Sequence, residues 1–232
     1  MGVTVECPEV AIGAEGQTTD QVCGAFSPQH AFFIHVFVVL NNAAITGMVS
    51  DKNKNPHIPI TVDEVVEDAY RCWNAGASIV HVHAWDEKEG PTYRGDIYQA
   101  IFQGIRAKCP GLLISGSTSG RLYPELEKRA QVLGSGNNLR PDFGSLTLGS
   151  LNFPTGTSIN QPETIAGLAT RMRDLGILPE LEIFDFGMVD YANHLIRKEI
   201  LSPPYYGNLL LGSLGPLSAS SFNLATLVQS LP

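Results

Sequence analysis

The chain has 232 residues, and 15 Lys and Arg against 23 Asp and Glu give a formal net charge of −8. An apolar fraction of 44% supplies a core for one sizeable α/β domain and excludes a wholly disordered chain. The acidic balance argues against a nucleic-acid partner, which needs a basic face to displace phosphate counterions.

Residues 1–34 show no clean period and read as an irregular N-terminal extension. Residues 1–50 contain no Lys or Arg, which suits neither a secretory signal nor an Arg-rich transit peptide. The apolar run Ala31–Leu40 is shorter than the roughly 20 residues that cross a bilayer. The expectation is a cytoplasmic protein with no membrane partner. Cys7, Cys23, Cys72 and Cys109 form no CxxC pair and read as free thiols.

From His35 a β–α rhythm begins. His35–Ile45 is β-rich. Residues 62–75 place Val65, Val66, Ala69 and Cys72 at helical spacing. Thr61 and Glu64 before and within that run form a capping-box signature, and Gly76 ends the helix. Ser78–His83 is a β-branched strand. Ile97–Lys108 reads as a helix stopped by Pro110. Leu112–Ser115 is a strand, 117–120 a loop, and Pro124–Leu133 a helix. Phe143–Leu148 is a strand, and Pro162–Leu175 a helix with Gly176 as its C-terminal stop. Strands at Leu181–Phe184 and Tyr206–Leu211 alternate with helices at Met188–Glu199 and Ser221–Leu231.

Such alternation predicts a parallel sheet with crossover helices. A dinucleotide-binding sheet would carry GxGxxG after its first strand, but Thr46-Gly47-Met48-Val49 stands there instead, and no Walker A sequence occurs. The fold expected over residues 35–232 is therefore an α/β, incomplete TIM (β/α)8-type barrel with about six β–α units. Residues 201–232 carry no charged side chain, which adds to the expectation that the C-terminus is internal to a longer fold.

In such folds ligands gather at the C-terminal ends of the strands. His81 and His83 finish the second strand, and period-two alternation points both imidazoles to one face. That is half a site for zinc, or simply a polar barrel mouth. Ser117 and Thr118 follow the third strand; Thr118 reads as a helix N-cap. Ser145 and Thr147 share one face of the fourth strand, and Glu180 and Glu182 share one face of the fifth. An inward carboxylate requires a cation, a metal or a substrate, or a Lys or Arg below it. Asp86 sits in a solvated loop. No chemistry is assigned to His30, His35, His57 or His194.

The stretches ITG (45–47), NPHIPIT (55–61), GASIVHVHAWD (76–86), SLTLGSLNF (145–153), NQPETI (160–165) and PELEIFDFGM (179–188) resemble the β-keto acid cleavage enzymes, in particular those like the 3-keto-5-aminohexanoate cleavage enzyme of lysine fermentation. The resemblance runs from about residue 36 to 232. It implies a zinc-dependent (or similar divalent metal) TIM barrel. That barrel exchanges an acyl group between a β-keto acid and acetyl-CoA, giving acetoacetate and a new acyl-CoA. It implies His81 and His83 as metal ligands and Ser117 and Ser145 as substrate contacts. Glu182 would face the variable end of the substrate, where the lysine-pathway enzyme reads an amino group. The complete protein would be a homo-oligomer.

There are departures from the family pattern. The third metal ligand, a Glu, and the catalytic Arg and Asp belong to an Arg-x-Gly-x-Glu-Asp-Asn motif expected beyond Pro232. Val49 stands where a Glu is common and Trp85 where an Arg is usual, and Leu214-Gly215-Pro216 replaces Pro-Gly-Gly. Two expectations follow: an acyltransferase impaired without that segment, or a non-catalytic remnant that assembles with a full-length paralogue.

Overall fold

The computed structural model describes residues 40–48, 52–88, 90–134, 139–154 and 156–232. The expected extension 1–34, the strand residues before Leu40, Cys7, Cys23, His30, His35 and Val49 lie outside them. In chain order the first elements are β1 (Asn42–Ala44), α1 (Val62–Asn74), β2 (Ile79–Val82), β3 (Ala84–Trp85) and β4 (Pro91–Thr92). There follow α2 (Gly95–Lys108), β5 (Leu113–Gly116), α3 (Leu126–Arg129), β6 (Phe143–Thr147), β7 (Leu151–Phe153) and β8 (Gly156–Ser158). The last are α4 (Pro162–Leu175), β9 (Leu178–Ile183), α5 (Phe186–Arg197), β10 (Tyr206–Leu209) and α6 (Ser221–Ser230).

β1, β2, β5, β6, β9 and β10 form one parallel sheet in that order. The sheet curls: Asn42 of β1 and Asn208 of β10, on its opposite edges, both donate to Glu180 Oε1, at 3.2 and 3.1 Å. This is the parallel sheet of an incomplete TIM-type barrel. Among the described residues, no helix is long and apolar enough to cross a membrane.

Alternation sorts each strand. Val80, Val82, Ile114, Leu146 and Leu181 join the helix residues Val65, Ala69, Ile101, Phe102 and Ile105 in one buried cluster. Their neighbours His81, Ser115, Ser145, Thr147, Glu180 and Glu182 take the other face. Thr61 caps α1 as the sequence predicts: its hydroxyl accepts from the Glu64 N–H at 3.2 Å, and Glu64 Oε2 accepts from the Thr61 N–H at 3.1 Å. Gly176 ends α4 in the left-handed conformation, φ 69°.

Two expectations change. The helix over 124–133 starts at Leu126 and tightens into a 3-10 turn over Ala130–Leu133. Three residues per turn put Ala130 and Leu133 on one side, where both are buried. The connections after β2 and β6 are not plain loops. β3–β4 and β7–β8 are short antiparallel hairpins, two and three residues per strand, too short for a period to declare itself. Asp86 belongs to the first of these, where its carboxylate accepts from the backbone of Lys88 and Gly90 and so shapes the turn.

Candidate functional site

The inner face of the sheet is built around a buried carboxylate. Glu180 on β9 is fully buried. Its Oε2 meets His81 Nδ1 at 3.1 Å and accepts from the Ser115 hydroxyl at 2.5 Å; its Oε1 accepts from Asn42 and Asn208. The residue is thus paired with an imidazole and three polar neighbours on other strands, rather than with a Lys or Arg. Burial pushes its carboxyl up, but the bond and charge of His81, with Ser115 and Asn208, outweigh this and hold it below the ordinary range. Burial likewise pushes His81 down, and the Glu180 bond and charge with the Glu182 charge bring it above its ordinary value.

Glu180 also fixes how His81 is oriented. A carboxylate at Nδ1 keeps the proton there and leaves Nε2 as the free end. That Nε2 lies 3.3 Å from Nε2 of His83. Two ring nitrogens facing each other so closely need a proton or a cation between them. The nitrogens of a tetrahedral site with metal–nitrogen bonds of about 2.0–2.1 Å are themselves roughly 3.3 Å apart. The pair therefore fits two corners of such a site. His83 Nδ1 is buried without a hydrogen-bond partner among the described residues. Burial and the His81 and Arg121 charges hold His83 well below its ordinary value, ready to offer a lone pair. Among the described residues no third His, Cys, Asp or Glu joins them in a metal-sized cluster.

His83 opens onto a cavity of about 670 Å³. Ser117, Ser145 and Glu182 line it too, so the structure brings four of the five expected site residues to one wall, and His81 joins through its contact with His83. Ser145 Oγ accepts from the Thr118 N–H at 3.0 Å, and Ser117 Oγ from the Ser119 N–H at 3.3 Å. Each hydroxyl proton remains free to donate. Glu182 Oε2 accepts from the Thr147 hydroxyl at 2.5 Å. Burial and the nearby Glu180 charge push the Glu182 carboxyl up.

Thr118 does not cap a helix, because the helix begins eight residues later; its hydroxyl donates to the Ser145 carbonyl at 2.5 Å and ties β5 to β6. Trp85 fills space rather than facing the chemistry. It packs with Ile58 and Ile60 and donates to the Gly47 carbonyl at 3.1 Å. His57 and Arg121 also line the cavity, and the sequence reading gave neither a role. Arg121 is reachable only through the loop geometry after β5. Arg129, by contrast, is buried and structural: it donates to the Thr118 carbonyl at 2.8 Å and to Asn160 at 2.9 Å.

The family model of the beta-keto acid cleavage enzyme matches residues 38–232. A 3-oxoadipate:acetyl-CoA acetyltransferase of Cupriavidus necator is 39% identical over 151 residues, which is 65% of this chain and 51% of that protein. A 3-keto-5-aminohexanoate cleavage enzyme of Acetoanaerobium sticklandii is 32% identical over 191 residues, 82% of this chain and 68% of that one. The chain thus spans about half the length of the first relative and about two thirds of the second. Among solved structures, a ternary complex of ObcA with C4-CoA adduct and oxalate superposes with a TM-score of 0.62 at 24% identity, covering 68% of this chain and 38% of that one, a likeness of fold. A match over this much of the chain, joined to the second relative's identity and coverage, places the protein in the beta-keto acid cleavage enzyme family.

Proposed function

We propose that this chain carries the keto-acid-binding wall and half of the metal site of an enzyme that exchanges an acyl group between a β-keto acid and acetyl-CoA, releasing acetoacetate and a new acyl-CoA. The observation that carries the reading is convergence: one imidazole with a second in contact behind it, two hydroxyls and a carboxylate, on or just after four strands, meet at one cavity. A zinc ion held by His81 and His83 would polarise the keto oxygen as a Lewis acid.

The chain's own groups do the rest of the binding. Ser117 and Ser145 line the cavity and each has its oxygen engaged by a backbone N–H, which leaves the O–H available to donate to a substrate oxygen. Donors fixed before the substrate arrives stabilise oxygen charge without reorganising. Glu180 holds His81 in the orientation that presents Nε2. Glu182, held by Thr147, faces the variable end of the acid. The named relatives act on keto acids of two charge types: 3-oxoadipate ends in a second carboxylate, and 3-keto-5-aminohexanoate carries an amine.

The test is a zinc titration by chelator competition on the chain and on its His81→Ala and His83→Ala variants, with acetoacetate formation from acetyl-CoA measured in parallel. One zinc per chain, bound weakly because no third protein ligand joins the two imidazoles among the described residues, and lost in both variants together with any acetoacetate formation, is the expected result. Zinc binding indifferent to both substitutions would overturn the reading.

A further inference from the structure

Arg121 is the cavity's uncommitted charge. It follows β5 by five residues and lines the same cavity as His83. Its guanidinium carbon lies 3.7 Å from the centroid of the Phe153 ring, on the β7–β8 hairpin. Phe153 is itself braced edge-on against buried Phe184, with centroids 6.0 Å apart. The stack fixes the plane of the guanidinium and leaves its edge to make hydrogen bonds. Yet Nε is buried with no partner, and the side chain makes no ion pair among the described residues.

The contrast with Arg129 is informative. That buried guanidinium is met at Nε and Nη2 by a carbonyl and an amide oxygen, with Nη1 alone left unbonded, so most of its donors are used inside the fold. It also seats the loop that carries Arg121: a Cβ on Gly120 would stand 2.7 Å from Arg129 Nη1, so only glycine lets the backbone lie this close. Arg129 and Gly120 thus place the loop, and Arg121 spends its side-chain donors on no hydrogen bond among the described residues. The two acidic groups that line the cavity are already engaged, Glu182 by the Thr147 hydroxyl and Asp68 by Arg71. Arg121 Nε is shut off from water and unbonded, a cost that an acceptor on a ligand would relieve.

Arg121, on the loop after β5 and stacked against the β7–β8 hairpin, lines the same cavity as His83 and is near enough for its charge to act on that imidazole. A keto acid engaged at the imidazoles would extend its other end toward Arg121. We propose that Arg121 is a specificity-determining residue that binds a carboxylate at the far end of the keto acid, making the substrate a β-keto dicarboxylate. This rests on the reading of the cavity as a keto-acid site. Burial weakens the hold of Arg121 on its proton only partly, and the Glu182 charge acts the other way, so the group remains a cation.

Three acids of equal length test it: adipate, hexanoate and 6-aminohexanoate, titrated calorimetrically into the full zinc-loaded chain. Adipate should bind at least about tenfold more tightly than hexanoate, as a charge-assisted bidentate contact allows. Arg121→Met keeps the stem on Phe153 and should erase the preference; Arg121→Glu should turn it toward 6-aminohexanoate. Equal binding of adipate and hexanoate would overturn the proposal. So would a preference that survives in Arg121→Met, or 6-aminohexanoate binding tightest to the unaltered chain, which would give selectivity to Glu182. Acetyl-CoA affinity, measured alongside, should not change. If it falls while the acid preference persists, Arg121 serves the CoA phosphates and the proposal fails. The two readings fail separately. Loss of zinc binding with adipate preference intact removes the reaction and leaves the anion site; zinc binding without acid discrimination removes the anion site alone.

Discussion

A carboxylate buried in a sheet persists only if its oxygens are met, and Glu180 is met by side chains from β1, β2, β5 and β10. Its charge matters twice, for the fold and for His81. Replacing it with Gln preserves the shape and removes the charge. Glu180→Gln should weaken zinc binding by about 10–100-fold, the usual effect of losing an outer partner of a metal-bound histidine. Chelator competition reads this directly, and unchanged affinity would refute it. Without metal the pair leaves a signature in pH. Glu180 is lowered, so its stabilisation is present above the ordinary 4.5 and is lost as pH falls through its folded value. His81 is raised, so its share is present below the ordinary 6.5 and is lost as pH rises through its folded value. The stability gap between the native chain and Glu180→Gln in urea should therefore be widest between those two values and narrow on either side. A gap flat with pH would mean the pair is not charged.

Elements that rest on neighbouring residues were legible in the sequence, and elements that rest on distant ones were not. Thr61 with Glu64, and Pro162 with Gly176, mark α1 and α4 because capping is local chemistry. The shared face of His81 and His83, and that of Glu180 and Glu182, came from period two alone. That Glu180 would meet His81 depends on register across several strands, which no single strand encodes. Likewise Arg121 meets Phe153 only because two connections fold over the sheet together. Two substitutions test the elements. Glu64 accepts from Lys52 and from the backbone of Ile60 and Thr61, and its carboxyl falls from the ordinary 4.5 to about 2. Glu64→Ala should cost about 0.5–1 kcal/mol at neutral pH, in the range of a lost cap. The depressed value places that loss above 4.5, and the difference should close as pH falls toward 2. Gly116 ends β5 where a Cβ would stand 2.5 Å from Val132 Cγ2 and 3.4 Å from Phe102. A β-branched neighbour cannot swing aside, so Gly116→Ala should destabilise by about 1–3 kcal/mol. Denaturant midpoints check both, and a neutral Gly116→Ala would show that the 3-10 turn carrying Val132 yields.

At the scale of the molecule, the described sheet has two edges, β1 and β10, joined inside by Asn42, which donates to Glu180 and to the Tyr206 hydroxyl at 3.2 Å each. The link crosses the interior through polar side chains and leaves the outer hydrogen-bonding groups of both edge strands without a seventh strand among the described residues. Unpaired edges favour association. The surface beyond β10 favours it as well. Residues 201–232 carry no charged side chain, while Leu214 is 70% and Phe222 76% exposed. The net charge of −8 opposes association, but its carriers lie in the first 200 residues and leave this region uncharged. Apolar exposure next to an open edge therefore decides the outcome here, and the chain should self-associate at micromolar concentration. Sedimentation equilibrium of the native chain and of a double variant, Leu214→Ser with Phe222→Ser, separates the causes. If the apolar surface drives assembly, the double variant should associate at least about tenfold more weakly, a difference of about 1.4 kcal/mol. Equal association of the two would move the cause to the strand edges, and a monomer in both would mean that Asn42 and its partners close the sheet well enough for it to stand alone.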